Sequence, residues 1–499
     1  MVSSWIRSKS NFKEHKLNII NQINQEWDIV IGLEVHVQLQ TRRKIFGHSK
    51  YIYNSPPNSL VCPPSFGLPG SLPTINQKAI QDAIKFGLTV QGEINQNLIF
   101  SRKHYFYPDL AKGYQISQFT EPIISGGYVP IWWEDKLMNI YLQRAHLEED
   151  TAKSTHINKD SFSLIDFNRS GASLIEIVTN PCISHPEQAK LFVQRIRQIV
   201  NFLDISNGKM EEGNLRCDAN ISLKKKNSQN LGIKTEIKNI NSFRNVQKSL
   251  ESEIIRQHKI LCNGKKVKQV TLTWNSSKNV AEIMREKEDS HDYRYFPDPD
   301  LPPVIIDSKF INSIAKDMIK TPMELEVAWK KNYKFSTEDV TMLTSSKLVS
   351  EYFQLLLDEG VNPGDGLKWI SGEIFRLFNE INIEFDNRIS PKDLKQLILL
   401  VSENKITNND AKEILKCLFD SNSELNEILE KGSYYINENK DLTLEAINLV
   451  FNQFPLELDR LKNGEDKLYG FFVGMTVKSS KEKLDPKIIL QEIKKIIED

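Results

Sequence analysis

The chain has 499 residues, of which 26% are charged, and its 65 basic residues balance its 65 acidic residues. This length predicts roughly two to four domains, and the zero net charge excludes an overall field that attracts nucleic acid. Five widely spaced cysteines without a CxxC pair argue against a disulfide framework and a thiolate zinc site, and favour a reducing compartment.

Residues 1–26 are polar and contain no apolar run long enough for a secretory signal. We predict a flexible N-terminal extension here; an organellar transit peptide is the alternative, against which Glu14 and Glu26 argue. No other segment has the length and apolarity of a membrane span. We therefore expect a cytoplasmic protein, or one of an organellar matrix or stroma, without a membrane partner.

Residues 27–308 alternate between strand-like runs and turns rich in Gly, Pro and Asn. Helical patterns are fewer in this part and begin near Asn76, near His185 and after Ser242, which is a typical N-cap. This texture predicts an α+β fold in which one large domain is built on an antiparallel sheet.

Beyond the proline-rich stretch "RYFPDPDLPP" the pattern changes to one helix after another. The clearest helix start has Ser390 as N-cap and Pro391 at the first position, and a partner helix is predicted to begin at Asp410. The sequence therefore predicts an all-α helical domain over residues 309–389 and a small helical tail domain over residues 390–499.

The stretch "IGLEVHVQLQT", residues 31–41, is the first strand-like run of the large domain. Strict alternation places Glu34 and His36 together on its polar face. A half-buried strand with a solvated side explains such a pair as well as a functional site does, so this spacing alone does not decide between them.

Two further acid clusters occur at strand ends in the same domain. "RAHLEEDTAKST" carries Glu148 and Glu149 two and three residues after a histidine, and "KMEEGNLRCDANISL" carries Glu211 and Glu212 before a glycine turn. Each cluster alone is common on protein surfaces. Three acid-rich strand ends, two of them with a histidine, favour convergence around a hard cation such as Mg²⁺.

Basic and aromatic residues interleave in "SRKHYFYPDLAKGYQISQF". Such a loop can hold phosphates and stack a base, or it can simply be a loop pinned by aromatic packing. "TEIKNINSFRN" similarly suits either an anion at a helix start or ordinary capping. The sequence contains no GxxxxGK[ST], GxGxxG at a helix start, HExxH or GxSxG, so the standard nucleotide, zinc-protease and hydrolase motifs are absent.

Taken in order, these stretches resemble the B subunits of the bacterial and organellar glutamyl-tRNA(Gln)/aspartyl-tRNA(Asn) amidotransferases. The similarity runs from residue 31 to residue 478. The matching stretches are "IGLEVHVQLQT", "RKHYFYPDLAKGYQISQ", "HLEEDTAKSTH", "DFNRSGASLIEIVTNP", "KMEEGNLRCDANISL", "TEIKNINSFRNVQKSLESEIIRQ", "MREKEDSHDYRYFPDPDLPP" and "GFFVGMTVK".

The resemblance implies a cradle domain with a kinase-like site that uses ATP and Mg²⁺, followed by a helical domain and a tail that embraces tRNA. It implies phosphorylation of the side-chain carboxylate of misacylated Glu-tRNA(Gln) or Asp-tRNA(Asn). Ammonia from the glutaminase (amidase), which is the A subunit, then displaces the phosphate, and a small C subunit completes the complex. This chain has no GGSSGG-like amidase serine region of its own.

The resemblance also assigns residues. The expected metal ligands and channel-mouth carboxylates are Glu34, His36, Glu148, Glu149, Glu211 and Glu212. The expected catalytic residues are Glu149, Glu148, Glu211, Arg102 and Lys112. The expected contacts to ATP or the acceptor end are Lys103, Tyr107, Tyr114, Arg169, Arg216, Asp218, Lys238 and Asn239.

Two departures from the family pattern change these expectations. Many relatives carry a four-cysteine zinc site where only Cys62 remains in this chain, so we expect no zinc. Acids slightly outnumber bases in the tail, which counts against the expected contacts between the tail and tRNA. The alternatives to a catalytic role are a noncatalytic tRNA-binding scaffold and a metallohydrolase that uses carboxylates and histidine.

Overall fold

The computed structural model describes residues 19–157, 162–286, 292–421, 423–432, 434–436, 440–480 and 483–498. The chain divides into two compact units, one ending at Val340 and the other beginning at Thr341. All strands of the described residues lie in the first unit, and the second unit is helical. The predicted α+β class is confirmed, while the predicted domain boundaries at residues 308 and 389 stay predictions.

The strands number seventeen among the described residues. In chain order they are β1 (Trp27–Gln38), β2 (Glu93–Ile94), β3 (Asn97–Leu98), β4 (Ser101–His104), β5 (Tyr114–Ser117), β6 (Ile124–Ser125), β7 (Tyr128–Trp133), β8 (Lys136–Glu149), β9 (Lys153–His156), β10 (Ser163–Asp166), β11 (Ser173–Thr179), β12 (Leu215–Lys225), β13 (Thr235–Ile240), β14 (Val270–Asn275), β15 (Val280–Glu286), β16 (Phe296–Pro297) and β17 (Val304–Ile305).

The helices of the described residues occur in both units. They are α1 (19–26), α2 (Pro63–Phe66), α3 (Gln77–Thr89), α4 (Pro186–Phe202), α5 (Phe243–Cys262), α6 (Ser308–Lys316), α7 (Pro322–Tyr333), α8 (Thr337–Leu343), α9 (Lys347–Asp358), α10 (Pro363–Lys368), a π-helix (Trp369–Ile374), α11 (Phe375–Glu380), α12 (Pro391–Ser402), α13 (Asn408–Asp420), α14 (Leu425–Lys431), α15 (Lys440–Gln453), α16 (Pro455–Lys462), α17 (Leu468–Ser479) and α18 (Pro486–Glu498). In the part of the chain that the structure describes, no helix is sufficiently long and apolar to cross a membrane.

A ten-stranded sheet forms the centre of the first unit. Its strand order is β15-β14-β13-β12-β1-β11-β8-β6-β2, and β7 pairs with β8. Neighbouring strands are antiparallel except for β13 and β14, which are parallel. The predicted antiparallel framework is thereby confirmed, and β1 lies at its middle between β11 and β12.

Strand β1 shows why one face of this sheet is apolar. Its residues alternate between buried and half-buried along its whole length, and Ile31 and Val35 are fully buried. These residues belong to the same core as Val200 of α4 and Leu250 of α5. The amphipathic helices therefore cover the apolar face, and the polar face of β1 is left for other contacts.

The predicted helix starts are largely confirmed. The side chains of Ser242 and Ser390 cap α5 and α12, because each hydroxyl accepts a hydrogen bond from the backbone N–H three residues later. The helix predicted from Asp410 begins two residues earlier, at Asn408. Thr407 is its N-cap and forms a capping box with Asp410, so Asp410 lies inside the first turn rather than at the first position.

Part of the predicted flexible N-terminal extension is a packed helix in the structure. Residues 19–26 form α1, and Ile20 and Ile23 are buried in the core of the first unit. An apolar face of this kind is ordered by packing rather than left free. The remainder of the predicted extension, residues 1–18, lies outside the described residues.

Candidate active site

A row of polar side chains crosses the middle of the sheet. His36 of β1 lies opposite Arg216 of β12 on one side and opposite Glu176 of β11 on the other. Glu176 in turn lies opposite His146 of β8. Opposed residues of antiparallel strands project to the same face, so four strands place these groups side by side.

The first candidate metal centre, here called the histidine–carboxylate group, consists of His36, Glu148 and Glu176. One ligand atom from each residue lies within 4.8 Å of the others. His36 Nε2 is 3.3 Å from a carboxylate oxygen of Glu176 and 3.7 Å from one of Glu148. Burial opposes ionisation of Glu176, but the nearby His146 and His36 hold its pKa well below the usual value. This carboxylate is therefore charged at neutral pH and can ligate a cation.

A second centre, the carboxylate group, consists of Glu34, Asp218 and Glu236, whose ligand atoms also lie within 4.8 Å of one another. Lys238 Nζ bridges Asp218 at 2.7 Å and Glu236 at 3.0 Å. Asn220 donates to Glu34 at 3.0 Å. Burial, Glu176 and Asp218 raise the pKa of Glu34, because a buried carboxylate beside other carboxylates resists ionisation.

Glu149 makes a separate set of contacts beside these groups. Lys112 forms an ion pair with its carboxylate, and the Ile116 backbone N–H donates to the same oxygen at 2.8 Å. These residues line a cavity of about 140 Å³ whose other walls include Pro64 and Pro73. The carboxylate of Glu149 is buried, yet it borders a space large enough for a small molecule.

Asp150 links two of the predicted contact residues. Its carboxylate lies 2.8 Å from a terminal guanidinium nitrogen of Arg216 and 3.4 Å from Nε of Arg169. Although burial opposes ionisation, Arg169 and Arg216 lower the pKa of Asp150. Arg169 also donates to the carbonyl oxygens of Thr151 and Ala152. Asp150 therefore holds the guanidinium of Arg216 beside His36.

Arg102 is engaged in ion pairs that hold its loop. Its Nε donates to Asp298 at 3.0 Å, and a terminal nitrogen donates to Asp300 at 2.8 Å. The guanidinium also lies 4.3 Å from the centre of the Tyr114 ring, close enough for a cation–π contact. Two aspartates already neutralise Arg102, so its position indicates a role in loop structure.

The remaining predicted contacts are distributed unevenly around the row. Lys103 Nζ lies 4.9 Å from the centre of the Tyr293 ring. Burial opposes its charge, but Glu148 raises its pKa, which indicates an ammonium near the histidine–carboxylate group. Tyr107 is 57% exposed. Asn239 has a left-handed backbone (φ +61°) where the pairing of β13 with β12 shifts register, as in a β-bulge.

Glu211 and Glu212 are not brought to either group. Glu211 is exposed in the turn before β12. Glu212 accepts from Asn214 at 3.1 Å and lies 3.5 Å from Lys209 Nζ. Consecutive acids in a turn lack the fixed direction that a strand imposes, so the spacing in "KMEEGNL" did not determine where they point.

Two residues of the groups were absent from the predicted site residues. Glu176 stands at a half-buried position of β11 between Ile175 and Ile177, which are fully buried. Glu236 occupies the same kind of position in β13. An isolated acid inside a largely apolar strand is costly to bury without a partner, and this signal marks Glu176; β13 carries other polar residues, so its sequence gives no such signal for Glu236.

Comparison with known families places the chain. A family model described as the GatB/GatE catalytic domain matches residues 29–312, and a model described as the GatB domain matches residues 351–497. The chain belongs to the GatB family. The sequence resemblance to B subunits is confirmed, and all residues of both groups lie within the first matched range.

Individual relatives support this GatB assignment along nearly the whole chain. The B subunit of the aspartyl/glutamyl-tRNA(Asn/Gln) amidotransferase of Thermodesulfovibrio yellowstonii is 41% identical over 476 residues, which cover 95% of this chain and 100% of the relative. The protein of that name from Persephonella marina is 40% identical over 476 residues, covering 94% and 100%. That of Legionella pneumophila is 38% identical over 475 residues, covering 94% and 99%.

Proposed function

We propose that this chain is the B subunit of a tRNA-dependent amidotransferase, a ligase that forms Gln-tRNA(Gln), Asn-tRNA(Asn) or both. The GatB family match and the relatives along nearly the whole chain support this assignment. In the proposed reaction the γ-phosphoryl group of ATP passes to the side-chain carboxylate of Glu or Asp on the tRNA, and ADP leaves. Ammonia then forms the C–N bond as phosphate leaves and a proton is released. An unactivated carboxylate offers no comparable leaving group, which explains the need for ATP.

The observation that carries this proposal is the convergence of five acids and one histidine from five strands. Carboxylate oxygens are the ligands that Mg²⁺ prefers, whereas an imidazole also suits transition metals. The carboxylate group of Glu34, Asp218 and Glu236 therefore fits Mg²⁺ if Lys238 gives way. The histidine–carboxylate group of His36, Glu148 and Glu176 fits Mg²⁺ or Mn²⁺. When bound, such an ion neutralises charge on the transferring phosphoryl group.

Two cations of the chain lie beside the histidine–carboxylate group and suit the phosphoryl oxygens. Arg216 of β12 lies directly opposite His36 of β1. Glu148 raises the pKa of Lys103, which keeps its ammonium charged. A guanidinium presents several donors at fixed angles, so Arg216 orients oxygens, and the ammonium of Lys103 supplies a point charge. Arg102, which is neutralised by two aspartates, is assigned to loop structure in this proposal.

We assign ammonia handling to Glu149 and Lys112. The cavity of about 140 Å³ at their ion pair can hold ammonia, and the carboxylate of Glu149 can accept the proton that ammonium must lose before ammonia can attack. The chain carries no amidase serine region, so we infer that a glutaminase, the A subunit, supplies ammonia and that the small C subunit joins the complex. An enclosed route also protects the acyl phosphate from water.

The tail domain of residues 390–499 is our proposed tRNA-binding part, and a cytoplasmic or organellar-matrix location remains our prediction. Helix α12, which has Ser390 as its N-cap, is the first helix of this proposed part. Which misacylated tRNA is used depends on the synthetases of the same cell.

Substitution of a residue in the row of polar side chains across the sheet tests the proposal in the complex reconstituted with the A and C subunits. Glu176→Gln removes one charge from the histidine–carboxylate group without changing its size. We expect ATP-dependent formation of Gln-tRNA or Asn-tRNA to fall by about 100-fold or more, since a preorganised charge at the reacting centre is lost. Binding of tRNA should stay within about twofold, because the tRNA contact lies mainly in the tail.

Glu211→Gln is the matched control, because it makes the same chemical change at an exposed residue outside both groups. It should retain amidation. Full activity of Glu176→Gln together with intact tRNA binding would support the noncatalytic scaffold instead. Loss of activity in Glu211→Gln but not in Glu176→Gln would instead assign the metal site to the turn before β12.

A further inference from the structure

A second cavity lies at the end of β1, beside the polar row. It has a volume of about 350 Å³, within the usual range of small-ligand pockets. Gln38 lines it and stands two residues beyond His36 on the same strand face, a separation of about 7 Å along a strand. Ser173 also lines it and lies opposite Glu149 in the strand pairing. The cavity therefore begins where the proposed phosphoryl-transfer site ends.

The walls of this cavity have a recognisable chemistry. Four side-chain amides line it, from Gln38, Gln40, Asn207 and Asn214. The Oε1 atom of Gln38 is buried and lacks a hydrogen-bond partner among the described residues. Amide side chains match the paired donor and acceptor of adenine, and a buried polar atom without a partner is costly unless a ligand satisfies it.

Aromatic and cationic residues complete the cavity. Tyr51 and Tyr53 line it and offer rings on which a base can stack. Arg42 and Arg43 also line it and are exposed, so their charges face any incoming phosphate. By contrast, the cavity beside Glu34 is lined largely by apolar residues such as Leu231 and Pro181.

We propose that the cavity at the end of β1 binds an adenosine 5′-phosphate moiety. Two substrates of the proposed function share this chemistry, ATP and the 3′-terminal adenosine of tRNA, so the inference rests on that function. The carboxylate of Glu212, which lines the cavity and already accepts a hydrogen bond from Asn214, accepts a second one from the exocyclic amine of adenine. Glu212 thereby contributes to substrate binding although it lies outside both metal groups.

Direct binding of AMP to the full-length chain tests the site without requiring turnover. Gln38→Leu keeps the side-chain size and breaks no side-chain hydrogen bond seen for Gln38, so folding should be preserved. We expect it to weaken AMP binding about tenfold in equilibrium dialysis, and Tyr51→Ala to weaken it by a similar factor through lost stacking. Gln143→Leu, an identical change in the lining of the cavity beside Glu34, should leave AMP binding unchanged.

The KM values of the reconstituted complex identify the source of the adenosine. If the site serves ATP, Gln38→Leu raises KM for ATP about tenfold and leaves KM for aminoacyl-tRNA within twofold; if it serves the tRNA end, the pattern is reversed. Equal AMP binding by wild type, Gln38→Leu and Tyr51→Ala overturns the proposal, as does absence of AMP binding. AMP binding that depends on Gln38 in a complex without ATP-dependent amidation would retain the site and reject the proposed function.

Discussion

Nε2 of His146 lies 3.4 Å from a carboxylate oxygen of Glu176, directly across the pairing of β8 with β11. His146 is 3% exposed, and its Nδ1 is buried without a hydrogen-bond partner among the described residues. His36, in contrast, approaches Glu176 from the more open side. This arrangement makes His36 a ligand candidate and His146 a residue that orients Glu176.

His146→Leu should therefore weaken binding of Mn²⁺, used as a spectroscopic probe, by about 10- to 100-fold. The reason is loss of the contact that fixes Glu176, and electron paramagnetic resonance of Mn²⁺ measures the affinity. His146→Gln, whose amide can donate to Glu176, should recover part of that affinity. If His258→Gln, a substitution on α5, weakened Mn²⁺ binding as much as His146→Leu does, the effect would not be specific to His146.

Cys62 is expected to react at neutral pH. Burial disfavours its thiolate, but hydrogen bonds from Ser49 and Ser65 outweigh burial and lower the pKa of Cys62 to about 7. Alkylation of Cys62, followed by peptide mass spectrometry, should reach half its maximal rate near pH 7, and Ser65→Ala should move this midpoint upward. Cys217, whose pKa is raised by burial, should stay unreacted in the folded protein. An unchanged midpoint in Ser65→Ala would contradict this account.

Lys44 should reduce stability at neutral pH. Its side chain is buried, with Nζ 3.4 Å from Ser65 Oγ and from the Phe167 carbonyl, and burial lowers its pKa to about 8. Because the unfolded chain holds this proton up to higher pH, the penalty is full below pH 8 and disappears as pH rises toward 10.5. Lys44→Met should thus be more stable than wild type at pH 7, by up to about 3 kcal/mol, with the difference shrinking above pH 8. Urea unfolding at several pH values measures it; lower stability of Lys44→Met at pH 7 would refute the prediction.

Glu326 should be important for the stability of the first unit. Its carboxylate, fully buried on α7, accepts from Arg195 at 2.6 and 2.8 Å, from Gln198 at 3.0 Å and from Trp132 at 2.7 Å. Glu326→Ala leaves the buried Arg195 without this counter-charge and should lower the free energy of unfolding by roughly 3–5 kcal/mol. Glu338→Ala, at an exposed position of α8, should change it by less than about 0.5 kcal/mol in the same denaturation assay. Equal stability of both variants would assign no such role to the network.

Local sequence patterns accounted for much of the fold. Period-two alternation placed Glu34 and His36 on one face of β1, and serine caps located the starts of α5 and α12. These features depend on neighbouring residues, so they can be read without tertiary information. The early start of α13 shows the usual limit, since Thr407 and Asp410 cap the helix together.

Which acids meet was decided only by the tertiary structure. His36 pairs with Arg216 and Glu176 through contacts between strands far apart in the chain, and the same pairing leaves Glu211 in a turn. Arg102 is neutralised by Asp298, 196 residues away. A one-residue change of register would turn each strand's side chains to the other face, and no local pattern specifies that register. The sequence by itself determined the elements and their polar faces; long-range strand pairing determined the site.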